Sequence, residues 1–399
     1  MSLPCLYSII LLKGDVYGHK TFTEKYYIDR AKGNTIKWQR GRKLKCLPMW
    51  IADMDFKDDE RVIEKLKEFI ETGDYGYGNL PEDYYDVFIN WHKKRNDIEY
   101  KRDTIRFSKG AVDAMYQVIY ALTQKGDSIL INTPLYPPFK ASIKQCGRKV
   151  VEVSMIDNDG YFTFDYKAIE RKFKSGKIRM LMLCSPHNPV GRVFKKGELE
   201  ELFDLCHKYH VLILSDEVHS DIIMPDQKFI PSLSLKKYQN DIISLVAASK
   251  SFSLAVFSHC HVIIPNKKLH NRFVSYQQDH HTGSVNVFNA LPTYYNYIFG
   301  EKWLDCLCNV VFENYQYFYK ELSPYFEISN LEGSYLIFVN IGKYNKEKSA
   351  AKYLIDKCSL LCNEGETFDP EYNNWVRINL ATSMKNIRKA VKALKGIIE

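Results

Sequence analysis

From about residue 108 to 265 the sequence alternates between two patterns, and that alternation limits what the chain can fold into. Short, continuous apolar runs fall at 128–132, 150–153, 179–184, 211–214, 242–246 and 261–264. Between most of them lie segments with helical spacing. Ala111, Met115, Val118, Ile119 and Leu122 form one apolar stripe, and Leu199, Leu202, Phe203 and Cys206 form another. Runs that are apolar throughout, rather than at every second residue, suit strands covered on both faces. Helices between such strands supply the crossovers of a mainly parallel sheet. The region predicts an α/β domain.

The last hundred residues read differently. An aromatic-rich stretch from 294 to 319 predicts one helix crossing back over the body, 333–341 and 375–380 alternate like strands of an α+β unit, and a basic amphipathic helix at 384–398 closes the chain. No Pro/Ser-rich linker separates the parts, so tight packing is expected rather than tethering. The expected partition is an N-terminal arm with part of a small domain at 1–47, a large α/β domain at 48–289, and a small C-terminal α+β domain at 290–399.

Composition excludes several classes. With 399 residues, 45 % of them hydrophobic and 26 % charged, the chain has the makings of a globular core and is neither a fibre nor a disulfide-dense mini-protein. The net charge of +8 is spread along the length, with no Lys/Arg block of the kind that binds nucleic acid. The apolar stretch at 3–12 falls far short of the ~20 residues of a membrane span and reads as an N-terminal arm. Ten cysteines without a C-x-x-C pair, several inside apolar runs, fit a cytoplasmic protein whose thiols act as small hydrophobes, and no zinc site. Asp279-His280-His281 has no evident third ligand, so no metal is expected.

In open α/β sheets ligands sit outside the carboxyl ends of the strands. Reading those ends gives Ser185-Pro186-His187-Asn188-Pro189, then Ser215-Asp216-Glu217-Val218-His219, then Ser249-Lys250. Singly, Asn188 is ordinary turn chemistry, Asp216 a helix cap and Lys250 a solvated amine. Together, at three successive strand ends, an amide, a carboxylate and an amine suit an aldehyde cofactor: the lysine forms a Schiff base and the aspartate holds a ring nitrogen protonated.

Four strings, MWIADMDF at 49–56, CSPHNPVGRVF at 184–194, SDEVHSDI at 215–222 and ASKSF at 248–252, resemble the pyridoxal-phosphate enzymes of aminotransferase class I/II. The first is similar to the cystathionine β-lyase branch (MalY/PatB type), and the resemblance runs from about residue 20 to the C-terminus. It implies the fold type I architecture: a mainly parallel seven-stranded sheet between helices, plus the smaller α+β domain. It also implies pyridoxal 5'-phosphate as cofactor, an amino acid as substrate and a homodimer with shared active sites. Carried over by motif, Lys250 becomes the Schiff-base lysine and proton shuttle. Asp216 pairs with the pyridine nitrogen, Asn188 donates to the ring's 3-oxygen, and His219 stands near that oxygen or packs beneath the ring. Tyr136, in PLYPPF, lies against the ring. Ala111 and Val112, opening a helix after Gly110, offer amides to the phosphate, as does the hydroxyl of Ser249. Tyr77, in DYGYG, corresponds to a tyrosine reaching the phosphate of the neighbouring subunit. Arg377, in WVRINLA, grips the substrate carboxylate through its planar fork, with Ala52 and Tyr136 also on the substrate side.

The chain departs from the family pattern near the phosphate. Ala247 stands where many relatives have a hydroxyl, no arginine follows Lys250 within a dozen residues, Ser253 replaces an asparagine and Val256 a glycine. The resemblance implies C–S β-elimination, with transamination as the alternative from the same residues and a non-catalytic regulator as a third reading. The paired Asp53 and Asp55 take a positional role in their loop.

Overall fold

A computed structural model describes residues 19–398; the arm expected at 3–12 lies outside the described residues. The central sheet has seven strands, β1 (Ile105–Ser108), β2 (Ser128–Thr133), β3 (Lys149–Ser154), β4 (Ile178–Cys184), β5 (Leu212–Asp216), β6 (Ile242–Val246) and β7 (Cys260–Ile263). Their order across the sheet is β1-β7-β6-β5-β4-β2-β3. Only β7 runs antiparallel to its neighbours. The six apolar runs are the six strands β2 to β7, and β1 joins them from just before the first helical stripe.

Apolar side chains leave both faces of these strands, as the continuous runs require. Ile129, Ile131, Met180 and Met182 pack under one layer with Met115, Val118 and Phe273. The intervening Leu130, Leu181 and Leu183 enter the opposite core with Leu199, Leu202 and Phe203. The principal helices are α1 (Ile36–Leu44), α2 (Ala111–Leu122), α3 (Pro137–Gln145), α4 (Lys196–Lys208), α5 (Lys267–Asp279), α6 (Val287–Phe299), α7 (Glu301–Leu322) and α8 (Met384–Lys395). The stretch expected as one helix is therefore two, α6 and α7. They part at Gly300, where a Cβ would stand 2.6 Å from the Phe252 ring and 2.7 Å from the Asn296 carbonyl oxygen. Only a glycine permits that approach.

A second, antiparallel sheet holds β8 (Glu327–Ile328), β9 (Leu336–Asn340), β10 (Asn363–Glu364) and β11 (Trp375–Asn379) in the order β8-β9-β11-β10. The segment Leu47–Pro48 pairs in parallel with Leu360–Leu361 as a separate two-stranded sheet, which ties the chain before the first motif to the C-terminal part.

The turn after β4, which bears Asn188, is fixed from below by Arg192. This side chain is fully buried, with Nε donating to Glu332 at 2.7 Å, a second nitrogen donating to Glu198 at 2.8 Å and a third to the Phe162 carbonyl. Val193 N–H also donates to Glu332, at 2.9 Å. A buried guanidinium is tolerated because its fork is satisfied by two carboxylates and a carbonyl, and the buried Glu332 would be an uncompensated charge without it.

Candidate active site

The strand ends converge as their order dictates. β4 and β5 pair with Cys184 opposite Asp216, and β5 and β6 pair with Asp216 opposite Leu245, five residues before Lys250. Asn188, Asp216 and Lys250 consequently border one cavity of about 940 Å³ at the carboxyl rim, together with Tyr136, His219 and Arg377. Ala52, Ala111, Val112 and Ser249 border it too. Of the residues singled out from the sequence, Tyr77 alone stands elsewhere. It is fully exposed on a separate groove with Phe69, Tyr75 and Phe288.

Arg377 projects from β11, where it pairs with Phe338 on one side and Asn363 on the other. It is 3 % exposed. Its terminal nitrogens donate to Asn188 Oδ1 at 2.9 Å, the Trp50 carbonyl at 2.9 Å and Asn363 Oδ1 at 2.7 Å, and the Phe368 ring lies 5.0 Å from the guanidinium carbon. Among the described residues no carboxylate pairs with it and its Nε has no partner, and burial lowers its pKa to about 10. A desolvated arginine held only by neutral acceptors is a receptor for an anion.

Asp216 is buried, and its Oδ1 accepts from Val218 N–H at 3.2 Å. Burial raises its pKa to about 7, against the opposing pull of that amide and of Lys250. Lys250 donates to the Ala52 carbonyl at 3.3 Å. Its pKa is lowered by burial and by Arg377, while Asp53 and Asp216 push it back up. An amine with a depressed pKa is a better nucleophile and base near neutrality. His219 Nδ1 and the Ser334 hydroxyl lie 3.0 Å apart, and burial holds the imidazole neutral.

The loop through 50–55 closes the other wall and is pinned from several directions. Asn379 Nδ2 donates to the carbonyls of Ile51 and Asp53, and Lys37 donates to the Asp53 carbonyl while pairing with Asp55 at 3.0 Å. The Asp53 carboxylate accepts from Ser253 at 2.7 Å and Arg30 at 3.0 Å. The positional role expected of Asp53 and Asp55 is what the geometry shows. Ser253, a departure from the family pattern, serves as a latch to that loop. Ser334, Asn363 and Asn379 were not singled out from the sequence, since each is one polar residue in an otherwise ordinary strand or turn.

The family model for aminotransferase class I and II matches residues 47–394. The chain belongs to this family. Among curated members it is similar to cystathionine beta-lyase PatB of Bacillus subtilis (27 % identical, covering 93 % of this chain and 98 % of that one). Among solved structures, cystalysin of Treponema denticola, which contains a pyridoxal 5'-phosphate cofactor, superposes with a TM-score of 0.88 at 29 % identity over 93 % of this chain and 97 % of that one. The PLP-bound C–S lyase of Staphylococcus hominis superposes with a TM-score of 0.87 at 28 % identity, over 94 % and 97 %. The cavity's position at the carboxyl ends of β4, β5 and β6 is the ligand side of an open α/β sheet.

Proposed function

We propose that the chain is a pyridoxal-phosphate-dependent C–S β-lyase that releases a thiol, pyruvate and ammonia from sulfur-containing amino acids. The observation that supports it most is the meeting of Lys250, Asp216 and the uncompensated Arg377 on one cavity. The residues fit the cofactor. Lys250 offers a primary amine for the aldehyde, Asp216 a buried carboxylate for the pyridine N–H, and the Asn188 amide N–H₂, without a partner among the described residues, a donor for the 3-oxygen. In this reading Tyr136 lies along the ring, and Ser249 and the amides opening α2 meet the phosphate; all of them border the cavity. His219, tied to Ser334, supports that wall of the cavity.

When bound, pyridoxal phosphate supplies a sink for the electrons left as Cα loses its proton. This chain's residues do the rest. Arg377 binds the substrate α-carboxylate and, with Ala52 and Tyr136 beside it, orients the Cα–H bond. Lys250 Nζ takes that proton, then returns one to the sulfur as the Cβ–S bond breaks. Asp216 stays ionised opposite the ring nitrogen. The three-carbon remainder hydrolyses to pyruvate and ammonia, so the balance needs water and no acceptor. Cystathionine or cysteine supplied without a keto acid is expected to give pyruvate. Turnover only after addition of 2-oxoglutarate contradicts the lyase reading and favours transamination, which uses the same residues up to the carbanion.

The proposal extends to a homodimer. Tyr77 and Tyr75 are exposed large aromatics on one groove, and in this reading Tyr77 reaches the partner's phosphate. Sedimentation is expected to give twice the 46.7 kDa chain mass, and a species at the chain mass contradicts it. No helix among the described residues is long and apolar enough to cross a membrane. A cytoplasmic location is proposed on the thiol-rich composition.

A further inference from the structure

The phosphate end of the cavity lacks the arginine that the family pattern places after Lys250; residues 251–262 contain neither lysine nor arginine. A phosphate near neutral pH has close to two negative charges, and amides with hydroxyls alone leave most of that charge uncompensated. The cavity's cationic side chains are Lys37, Lys109, Lys250 and Arg377. Lys37, on α1, is spent on Asp55. Arg377 is held among Asn188, Trp50 and Asn363, and Lys250 is the reacting amine. Lys109 is left. Its ammonium has no partner among the described residues.

Its position is fixed by the sheet. The β1–β7 ladder ends at Ser108 opposite Cys260, so Lys109 and Gly110 on one strand and His259 and Ser258 on the other leave the sheet at the same edge, and all four border the cavity. Gly110 is the residue before α2, at φ +152°, and no side chain caps the helix there. The hydroxyls of Ser249 and Ser258 border the same region and have no partner among the described residues. The nearest carboxylate does not claim the lysine. Asp113 accepts from the Ser108 hydroxyl, the Gln117 amide and the Lys109 backbone N–H. His259 is held by the Tyr84 hydroxyl at 2.7 Å, and burial keeps its pKa at about 4, so it adds no charge.

We infer that Lys109 supplies the counter-charge for the cofactor phosphate in this chain, in place of the missing arginine. The inference rests on the cofactor reading above and deepens it. A lysine acts here as a mobile point charge rather than a fixed fork, so the contact is weaker than an arginine's and more sensitive to salt.

The test compares retention of pyridoxal 5'-phosphate with that of unphosphorylated pyridoxal, followed by adduct absorbance during dialysis, and adds inorganic phosphate binding to the cofactor-stripped full chain by calorimetry. Lys109→Gln is expected to weaken retention of the phosphorylated aldehyde about fivefold while leaving pyridoxal unchanged. Lys109→Arg is expected to restore it, and the difference to shrink at high salt. An adduct that forms in Lys109→Gln with an unaltered preference for the phosphorylated aldehyde overturns the inference and leaves the cofactor reading standing. Inorganic phosphate that binds the wild type and weakens in Lys109→Gln, with no adduct from either aldehyde, supports the role of Lys109 in anion binding and overturns the cofactor reading. If phosphate binding and adduct are both absent, both fall.

Discussion

Lys250→Ala is expected to lower kcat by at least about 10⁴-fold while leaving the protein folded. The amine is asked to act twice, first as the group that receives the aldehyde and then as the base at Cα, and the two other lysines bordering the cavity are engaged elsewhere. Lys37 is paired with Asp55 and donates to the Asp53 carbonyl, and Lys109, just before α2, is the residue assigned above to the phosphate. Folding does not depend on the side chain. Its one hydrogen bond among the described residues, to the Ala52 carbonyl, is long at 3.3 Å, and its charge is disfavoured by burial. Removing a poorly compensated buried amine relieves a desolvation penalty, so thermal stability is expected to hold or rise. Rates of pyruvate release and melting curves on the same preparation read both halves. Residual activity within tenfold of wild type removes the lysine from the chemistry.

Asp216→Asn is expected to cost about 10²- to 10³-fold in kcat, the range for losing one preorganised charged partner of a reacting group. An amide has the same shape but cannot hold a ring nitrogen cationic. The same residue has a separate signature in the cofactor-stripped protein. Its pKa rises to about 7 by burial, above an unfolded value near 3.8. Between those two values the native state binds more protons than the unfolded one, so this group lowers stability as pH rises from about 4 to 7 and contributes no slope above that. Asp216→Asn removes that slope. Melting temperatures across this window should therefore fall more steeply for wild type than for the variant, and parallel curves contradict the assignment. A cation opposite the carboxylate lowers its pKa again, so saturation with cofactor is expected to flatten the wild-type curve.

The two sheets and the loop between them show why part of the site was legible in the sequence and part was not. Strands buried on both faces announce themselves as continuous apolar runs, and the polar residue ending each run then falls on the ligand rim; Asn188, Asp216 and Lys250 were recoverable that way. Arg377 needed the family motif, because one charged residue in an alternating strand looks the same whether it faces water or a cavity. Its acceptors, Trp50 and Asn363, lie 327 and 14 residues away. Only the folded register joins them. Asn379 escaped notice, and Ser253 was marked only as a departure from the family pattern, for the same reason: each fastens the 50–55 loop through a single hydrogen-bonding group, with no local pattern to mark that contact. The α6–α7 break was missed because Gly300 is required by the nearby Phe252 ring, a tertiary contact, and not by its immediate neighbours in sequence.

The central claim is that the Lys250 amine condenses with the cofactor aldehyde. Borohydride reduction of the pyridoxal-phosphate-loaded protein, followed by digestion and mass mapping, tests it most directly. One reduced phosphopyridoxyl group per chain is expected, on Lys250. An active, loaded protein whose label falls on Lys37, Lys109 or any other lysine contradicts it.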